Sequence, residues 1–129
     1  MSKLGKLSDV EMEIMQAIWA QSAPVTVAQL LAIFETAKGW KTSTMSTMLE
    51  RIIAKGFLIK SMKGKANYYR ITATFEDYQR QEGRNLLSAL YGGSITNFVA
   101  ALANDGEVSR EDIAELQAWF DSMSREGEQ

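Results

Sequence analysis

Hydrophobic positions before Gly56 recur three or four residues apart, which is the spacing of amphipathic helices. Three stripes of this kind follow one another along the chain. They consist of Val10, Ile14, Met15, Ile18 and Trp19, then of Val27, Leu30, Leu31 and Phe34, and then of Met45, Met48, Leu49, Ile52 and Ile53. The pattern predicts three helices, each with one buried face.

Polar residues beside these stripes indicate where the helices begin. Ser8 and Glu11 have the spacing of a capping box, so a first helix is expected over about residues 9–21. Pro24 favours a turn and a short extended piece after that helix. Thr26 can then cap the second helix.

The period changes after Gly56, which stands where a left-handed cap would end the third helix. FLIKSM and ANYYRIT are β-branched and aromatic runs of strand length, and residues 63–65, Lys-Gly-Lys, join them. We predict a hairpin with a basic tip, in which one of Tyr68 and Tyr69 is buried and the other partly exposed. Three helices followed by a hairpin is the order of a winged helix-turn-helix domain.

The rest of the chain predicts three more helices, starting near Thr74, Ser94 and Ser109 and separated by glycine-containing turns. Their apolar positions are Leu86, Leu87, Leu90, Ile95, Phe98, Val99, Leu102, Ile113, Leu116, Trp119 and Phe120. So short a segment cannot readily bury this much apolar surface by itself. Dimerisation is the economical solution, and folding back onto the N-terminal domain is the alternative.

These patterns predict a mainly α protein with two domains. Residues 1–72 form a winged helix-turn-helix domain, and residues 73–129 form a C-terminal arm of three helices that serves dimerisation. The chain contains no stretch of eighteen apolar residues, and acidic residues interrupt its N-terminal segment, so we expect a cytoplasmic protein without a membrane span.

Composition excludes several kinds of chemistry. The chain has no cysteine and no histidine, which removes disulfides, thiolate or imidazole metal sites and histidine-dependent catalytic triads. The carboxylates at Glu11 and Glu13, or at Glu111, Asp112 and Glu115, lie in helical stretches without a partner motif, so solvated faces are favoured over acid/base catalysis. We expect neither an enzyme nor a bound cofactor or metal.

Charge is divided unequally between the two predicted domains. Residues 1–72 contain ten basic and five acidic residues, a net charge of +5, whereas residues 73–129 contain four basic and eleven acidic residues, a net charge of −7. Between Lys38 and Arg70 the only acid is Glu50. A local field of this kind favours a polyanionic partner even though the whole chain is acidic.

The third helix adds a chemical reason to expect double-stranded DNA. Short polar side chains on one face allow a helix to enter a major groove about 12 Å wide, while basic residues contact the backbone or a base. The predicted DNA-binding residues are Lys41, Ser43, Thr44, Ser46, Thr47, Arg51, Lys60, Lys63 and Lys65. The alternative is that the hydroxyls simply populate a solvent-exposed helix. Trp40 fits packing at the helix entrance better than base stacking.

Several stretches together resemble the penicillinase-repressor family of winged-helix transcriptional regulators, which includes β-lactamase, methicillin-resistance and copper-transport repressors. They are LSDVEMEIMQAIW, PVTVAQL, GWKTSTMSTMLERIIAKGFL and the adjacent tyrosines, and more weakly ITNFVAAL and SREDIAELQAWF. The resemblance implies a homodimeric repressor on a palindromic operator, with recognition contacts at Thr44, Ser46, Thr47 and Arg51. Ser46 departs from the pattern, because many relatives have a larger Tyr or Arg there.

The resemblance also bears on induction. Copper-responsive members carry Cys-x-Cys motifs near the C-terminus, and the absence of cysteine here excludes a thiolate copper site. β-Lactam-responsive members are cut at an Asn-Phe bond in the arm, and Asn97-Phe98 lies at the corresponding place, which would imply a sensor protease as a partner. Core packing of Phe98 is the favoured alternative explanation for that dipeptide.

The sequence thus predicts a homodimeric repressor that is released by a signal acting on the arm. The competing hypothesis is a winged-helix protein-interaction module that does not bind DNA directly.

Overall fold

The computed structural model describes residues 3–21 and 24–127, and within these it does not describe the side chains of residues 35–38. In chain order the elements are α1 (Asp9–Trp19), β1 (Val25–Thr26), α2 (Val27–Lys38), α3 (Thr42–Ala54), β2 (Leu58–Lys63), β3 (Ala66–Ile71), α4 (Phe75–Tyr91), α5 (Ile95–Asn104) and α6 (Arg110–Gly127). The helices and the hairpin expected from the sequence are all confirmed.

Contacts divide the chain into an N-terminal unit, residues 1–82, and a C-terminal unit, residues 83–129. The division falls inside α4, ten residues beyond the boundary placed from the sequence. The first turns of α4 belong to the N-terminal unit because they bind the segment before α1. The Tyr78 hydroxyl oxygen accepts a 2.9 Å hydrogen bond from the backbone N–H of Leu7, and the Gln81 amide bonds both backbone groups of Leu4.

Side chains cap the helices largely as the sequence indicated. The Ser8 and Glu11 capping box is present, with bonds of 3.2 Å and 2.8 Å between side chains and backbone N–H groups. The same reciprocal arrangement joins Thr26 to Gln29, Thr74 to Asp77 and Ser109 to Asp112, and the Ser94 hydroxyl caps α5. Each bond satisfies a backbone N–H that has no partner within its helix.

The apolar stripes of α1, α2 and α3 meet in the core of the N-terminal unit. The most completely buried large side chains there are Ile14, Met15, Ile18, Leu30, Met45, Leu49, Ile52 and Phe57. Phe57 is in edge contact with Trp19 and with Tyr78, so aromatic packing ties α1 and α4 to the start of the hairpin.

The hairpin belongs to a three-stranded antiparallel sheet with strand order β1-β3-β2. The short extended piece expected after α1 is the strand β1, which pairs Val25 with Tyr69. Tyr69 is 2% exposed and Tyr68 is half-buried, which confirms the alternation predicted for β3. Gly64, at the turn between β2 and β3, has a φ of 67°, a conformation that favours glycine.

The C-terminal unit contrasts with this core. Of its described residues, 83–127, none is buried, although α5 and α6 carry the predicted apolar stripes. Phe98 contacts Tyr91, with ring centroids 5.2 Å apart, and Trp119 contacts Phe120. In the described part of the chain no single helix is long and apolar enough to cross a membrane, and α4 with α5 meets that test only as a bent pair.

A partly buried ion pair joins α1 to the end of α3. The carboxyl of Glu11, 2% exposed, binds the ammonium group of Lys55, which also donates to the carbonyl of Lys6. Burial would raise the pKa of the Glu11 carboxyl, but hydrogen bonds from Lys55 and Ser8 outweigh it and leave the pKa below its ordinary value of 4.5. The charge on Glu11 therefore stabilises the folded chain.

We predict that Lys55→Met lowers the free energy of unfolding by roughly 1–3 kcal/mol at pH 7, because it leaves a buried carboxylate unpaired. Since the Glu11 pKa is depressed, the contribution of the pair is present above about pH 4.5 and lost as the pH falls through the folded-state pKa. Denaturant unfolding of both proteins over a descending pH series measures this. Lys60→Met, which breaks an exposed pair, is the control and should cost less than about 1 kcal/mol. Equal losses in the two variants would contradict the prediction.

Candidate nucleic-acid interface

The N-terminus of α3 has no side-chain cap. Its N-cap residue, Lys41, makes no side-chain hydrogen bond to the helix, whereas α1, α2, α4, α5 and α6 are all capped by side chains. The first N–H groups of α3 therefore have no such partner, and the positive end of the helix dipole lies at the same place. Such an end is suited to bind an anion, of which phosphate is the usual example in proteins.

Burial of one face of α3 leaves its hydroxyl groups on the other. Met45, Leu49 and Ile52 are 0% exposed, while Thr44 and Thr47 are exposed. Ser43 is exposed as well, and Ser46 is half-buried at the edge of this face. The structure therefore brings together on one face the hydroxyl residues that the sequence proposed as a contact surface.

The Thr47 hydroxyl has a specific hydrogen bond within the helix. It donates to the backbone carbonyl of Ser43 over 2.9 Å. The hydroxyl proton of Thr47 is thus committed, but the residue is exposed and its hydroxyl oxygen can still accept a hydrogen bond. Thr47 is suited to accept from an amino group or to contact a methyl group.

Aromatic stacking positions the start of α3. The rings of Phe34 on α2 and Trp40 are 5.6 Å apart at the centroids, with an angle of 15° between their planes. Trp40 is half-buried and packs against the core, as the sequence favoured. The connection between α2 and α3 also contains Gly39, with a φ of 69°. Packing at this turn holds the entrance of α3 in place.

Two basic side chains accompany the hydroxyl face. Lys41 lies at the start of α3, and Arg51 lies one turn beyond Thr47. Both are exposed, and within the described ranges neither forms a salt bridge. Their charges are available to an anionic partner.

The three hairpin lysines differ from one another in surroundings. Lys63 and Lys65 are exposed beside Gly64 and form no salt bridge among residues 3–21 and 24–127. The ammonium of Lys60 instead donates to Glu50 Oε1 over 2.8 Å, and this hydrogen bond together with the charge of Glu50 raises the pKa of Lys60. The sequence predicted one shared role for the three lysines and did not indicate the pair between Lys60 and Glu50. Strand alternation, which puts Lys60 on the same sheet face as Leu58 and Tyr69, was the available signal.

Nothing in the described part of the chain resembles a metal centre. No group of three or more acidic residues there is arranged to hold a metal ion. The candidate interface offers hydrogen-bonding hydroxyls and positive charge on the exposed face of α3.

Comparison with protein families identifies the chain. The model of the penicillinase repressor family matches residues 7–122, which is most of the sequence. The chain belongs to the penicillinase repressor family. The match extends through α4, α5 and most of α6, so membership does not depend on the N-terminal unit alone.

Curated relatives agree with this membership. The chain is 28% identical over 116 residues to the penicillinase repressor of Bacillus licheniformis, covering 90% of each protein. It is 22% identical over 116 residues to the methicillin resistance regulatory protein MecI of Staphylococcus aureus strain N315, covering 90% of this chain and 94% of the relative. These relatives are regulators and not enzymes, in agreement with the prediction from composition.

Two solved structures share the fold. The solution structure of the DNA-binding domain of the repressor BlaI matches with a TM-score of 0.52 and 31% identity, and it covers 60% of this chain and 94% of that one. The solution structure of the monomeric form of Bacillus licheniformis BlaI in complex with the blaP half-operator matches with a TM-score of 0.50 and the same identity and coverage. The winged-helix prediction is thereby confirmed.

Proposed function

We propose that this member of the penicillinase repressor family is a homodimeric transcriptional repressor that binds a palindromic operator through α3 and its basic hairpin. The observation that carries the proposal is the exposed face of α3, where hydroxyls and Arg51 lie beyond an uncapped helix N-terminus. Support comes from the solution structure of monomeric BlaI in complex with the blaP half-operator. Action in the cytoplasm, where duplex DNA is accessible, is part of the same proposal.

Each part of the proposed interface has a separate task. The N-terminus of α3 and Lys41 bind a phosphate, and the short side chains of Ser43, Thr44, Ser46 and Thr47 let the helix enter the major groove. Lys63 and Lys65 place the hairpin against the flanking backbone. Serine and threonine discriminate bases less sharply than arginine does, so DNA shape and the spacing of two half-sites contribute to selectivity.

The C-terminal unit is the proposed dimerisation element. Leu90 is 71% exposed and Trp119 is 58% exposed, in a unit whose residues 83–127 include no buried side chain. An open groove of about 510 Å³ lies between α5 and α6, lined in part by Val99, Leu102 and Leu116. A second copy of the chain would bury this apolar surface. A two-fold dimer would also allow each of two N-terminal units to contact one half of a palindromic operator.

Release of DNA would then follow from any signal that separates the two chains. When two weakly binding N-terminal units are linked, the binding of the second unit to DNA is nearly intramolecular. Loss of the link would therefore lower the affinity for DNA without altering α3. Asn97-Phe98 lies in the first turn of α5, where the Ser94 hydroxyl accepts from the Asn97 N–H. A sensor protease acting at this bond is one way to release the repressor, although the helix would have to open locally first.

The proposal predicts strongly salt-dependent binding. Fluorescence anisotropy of the full chain on the duplex upstream of its own coding region should show affinity falling by orders of magnitude between low and moderate salt. A shuffled duplex of the same length should bind more weakly but still with salt dependence. A flat salt response on both duplexes would contradict the proposal and favour the protein-interaction alternative.

Arg51→Ala should weaken operator binding by roughly 1–3 kcal/mol if the guanidinium reads a base. The matched variant Arg51→Lys keeps the charge but loses the planar donor pair, so it should bind shuffled DNA like the parent and still lose operator affinity. Titrations of both variants on operator and shuffled duplexes distinguish the roles. Equal losses on every sequence would assign Arg51 to phosphate.

Phe120→Asp should shift the chain from dimer to monomer at micromolar concentration, because it puts a charge into the apolar stripe of α6. Ala118→Asp adds the same charge to α6 off that stripe and should leave the dimer intact. Analytical ultracentrifugation of the three proteins measures the outcome. A parent chain that sediments as a monomer would rule out the proposed role of the arm.

A further inference from the structure

We propose that Glu50 is a specificity-determining residue that reads a cytosine in the operator, and that Lys60 positions its carboxylate and balances its charge. The inference rests on the proposed DNA-binding function and deepens it. It assigns a base contact to Glu50, the one acidic residue between Lys38 and Arg70. It also implies that Lys60 does not neutralise a phosphate in the parent chain.

The position of Glu50 on α3 is the first observation. Glu50 and Arg51 lie three and four residues after Thr47, so both stand one turn further along the same exposed face. The Glu50 side chain is 56% exposed. Whatever duplex surface meets Thr47 and Arg51 therefore also meets the carboxylate of Glu50.

The charge at this position is the second observation. An isolated carboxylate on a face that approaches DNA is repelled by the phosphates, and such a residue would weaken binding to every sequence. Lys60 Nζ lies 2.8 Å from Glu50 Oε1 and so neutralises the pair locally. Glu50 can consequently approach the duplex without the cost of an uncompensated negative charge.

The hydrogen bonding of the carboxylate is the third observation. The contact with Lys60 uses Oε1, and within the described parts of the chain Oε2 has no hydrogen-bond partner. A carboxylate is an acceptor only, and in the major groove the cytosine N4 amino group donates to it. A carboxylate held on one side by a lysine from the hairpin has its second oxygen free for that donor.

The pairing of Lys60 with Glu50 also determines which hairpin lysines can neutralise a phosphate. Lys60 is 41% exposed at its side chain, yet its ammonium is engaged with Glu50, whereas Lys63 carries no such partner among the described residues. Neutralising a phosphate contributes about 0.9 to the slope of log affinity against log salt concentration. Lys63 should contribute to that slope on any duplex, and Lys60 should contribute only after Glu50 loses its charge.

The experiment uses the full chain and the variants Glu50→Gln, Glu50→Gln with Lys60→Met, and Lys63→Met as the control. Selection from a randomised duplex library gives the base preference at each operator position, and salt titrations on a shuffled duplex give the slope. Thermal unfolding of each variant checks the fold, which these exposed positions should leave unchanged.

Glu50→Gln should lose the cytosine preference at one position of each half-site, keep the other positions, and steepen the slope by about 0.9. The double variant should return the slope to that of the parent. Lys63→Met should make the slope shallower by about 0.9 without altering any base preference.

Two results would overturn the inference. One is an unchanged base preference in Glu50→Gln. The other is a parental slope in Glu50→Gln combined with a shallower slope in the double variant, which would show that Lys60 already neutralises a phosphate. If the proposed DNA-binding function itself were wrong, the parent chain would bind no duplex in a salt-dependent way. That outcome is distinct from both of these results.

Discussion

Complete burial of the aliphatic face of α3 is the constraint on which the candidate interface depends. Met45, Leu49 and Ile52 have no exposed surface, so the helix cannot rotate about its axis without pulling large apolar side chains out of a closely packed core. The side chains on the opposite face are fixed by that packing. Trp40, stacked on Phe34, adds a second restraint at the entrance of the helix.

Ion pairing then determines how much of the positive charge on the N-terminal unit is available to a partner. Among its described side chains, Lys55 and Lys60 each form an ion pair, but in different surroundings. Lys55 is partly exposed and pairs with the buried carboxylate of Glu11, whereas Lys60 pairs with exposed Glu50 at the surface. An exposed pair contributes little to stability, so the effect of the second pair falls on the charge and hydrogen bonding of the interface. Counting basic residues along the sequence therefore overstates the cationic surface.

Local signals made most of the fold predictable from the sequence. Capping pairs and apolar periods involve residues that are only three to eight positions apart. They were therefore enough to predict α1 to α6 and the hairpin without knowledge of contacts between distant residues. Contacts between distant residues were not accessible in this way. The bond from Leu7 to Tyr78 joins residues 71 apart, and it is the reason that the N-terminal unit includes the start of α4.

The candidate site was likewise predictable only where local sequence patterns determine it. Exposure of Thr44 and Thr47 followed from the helical period, since residues opposite a buried stripe must face outward. The pairing of Lys60 with Glu50 did not follow, because it depends on how β2 packs beside α3. The periodicity of the sequence does not show how β2 packs beside α3. The alternation within β2 indicates only the face of the sheet on which Lys60 lies.

Small hydroxyl side chains impose a limit on any repressor built around α3. Serine and threonine permit close approach of the helix but distinguish bases weakly, so a single head gains little selectivity from them. In the proposed repressor, selectivity would then come from the longer side chains at the C-terminal end of the exposed face of α3, from DNA shape, and from the separation of two half-sites. Glu50 and Arg51 are adjacent at that end of α3, with opposite charges and complementary hydrogen bonding. In the proposed complex, a carboxylate that accepts and a guanidinium that donates would contact neighbouring bases of opposite hydrogen-bonding character. The presence of one acid between Lys38 and Arg70 is therefore physically reasonable.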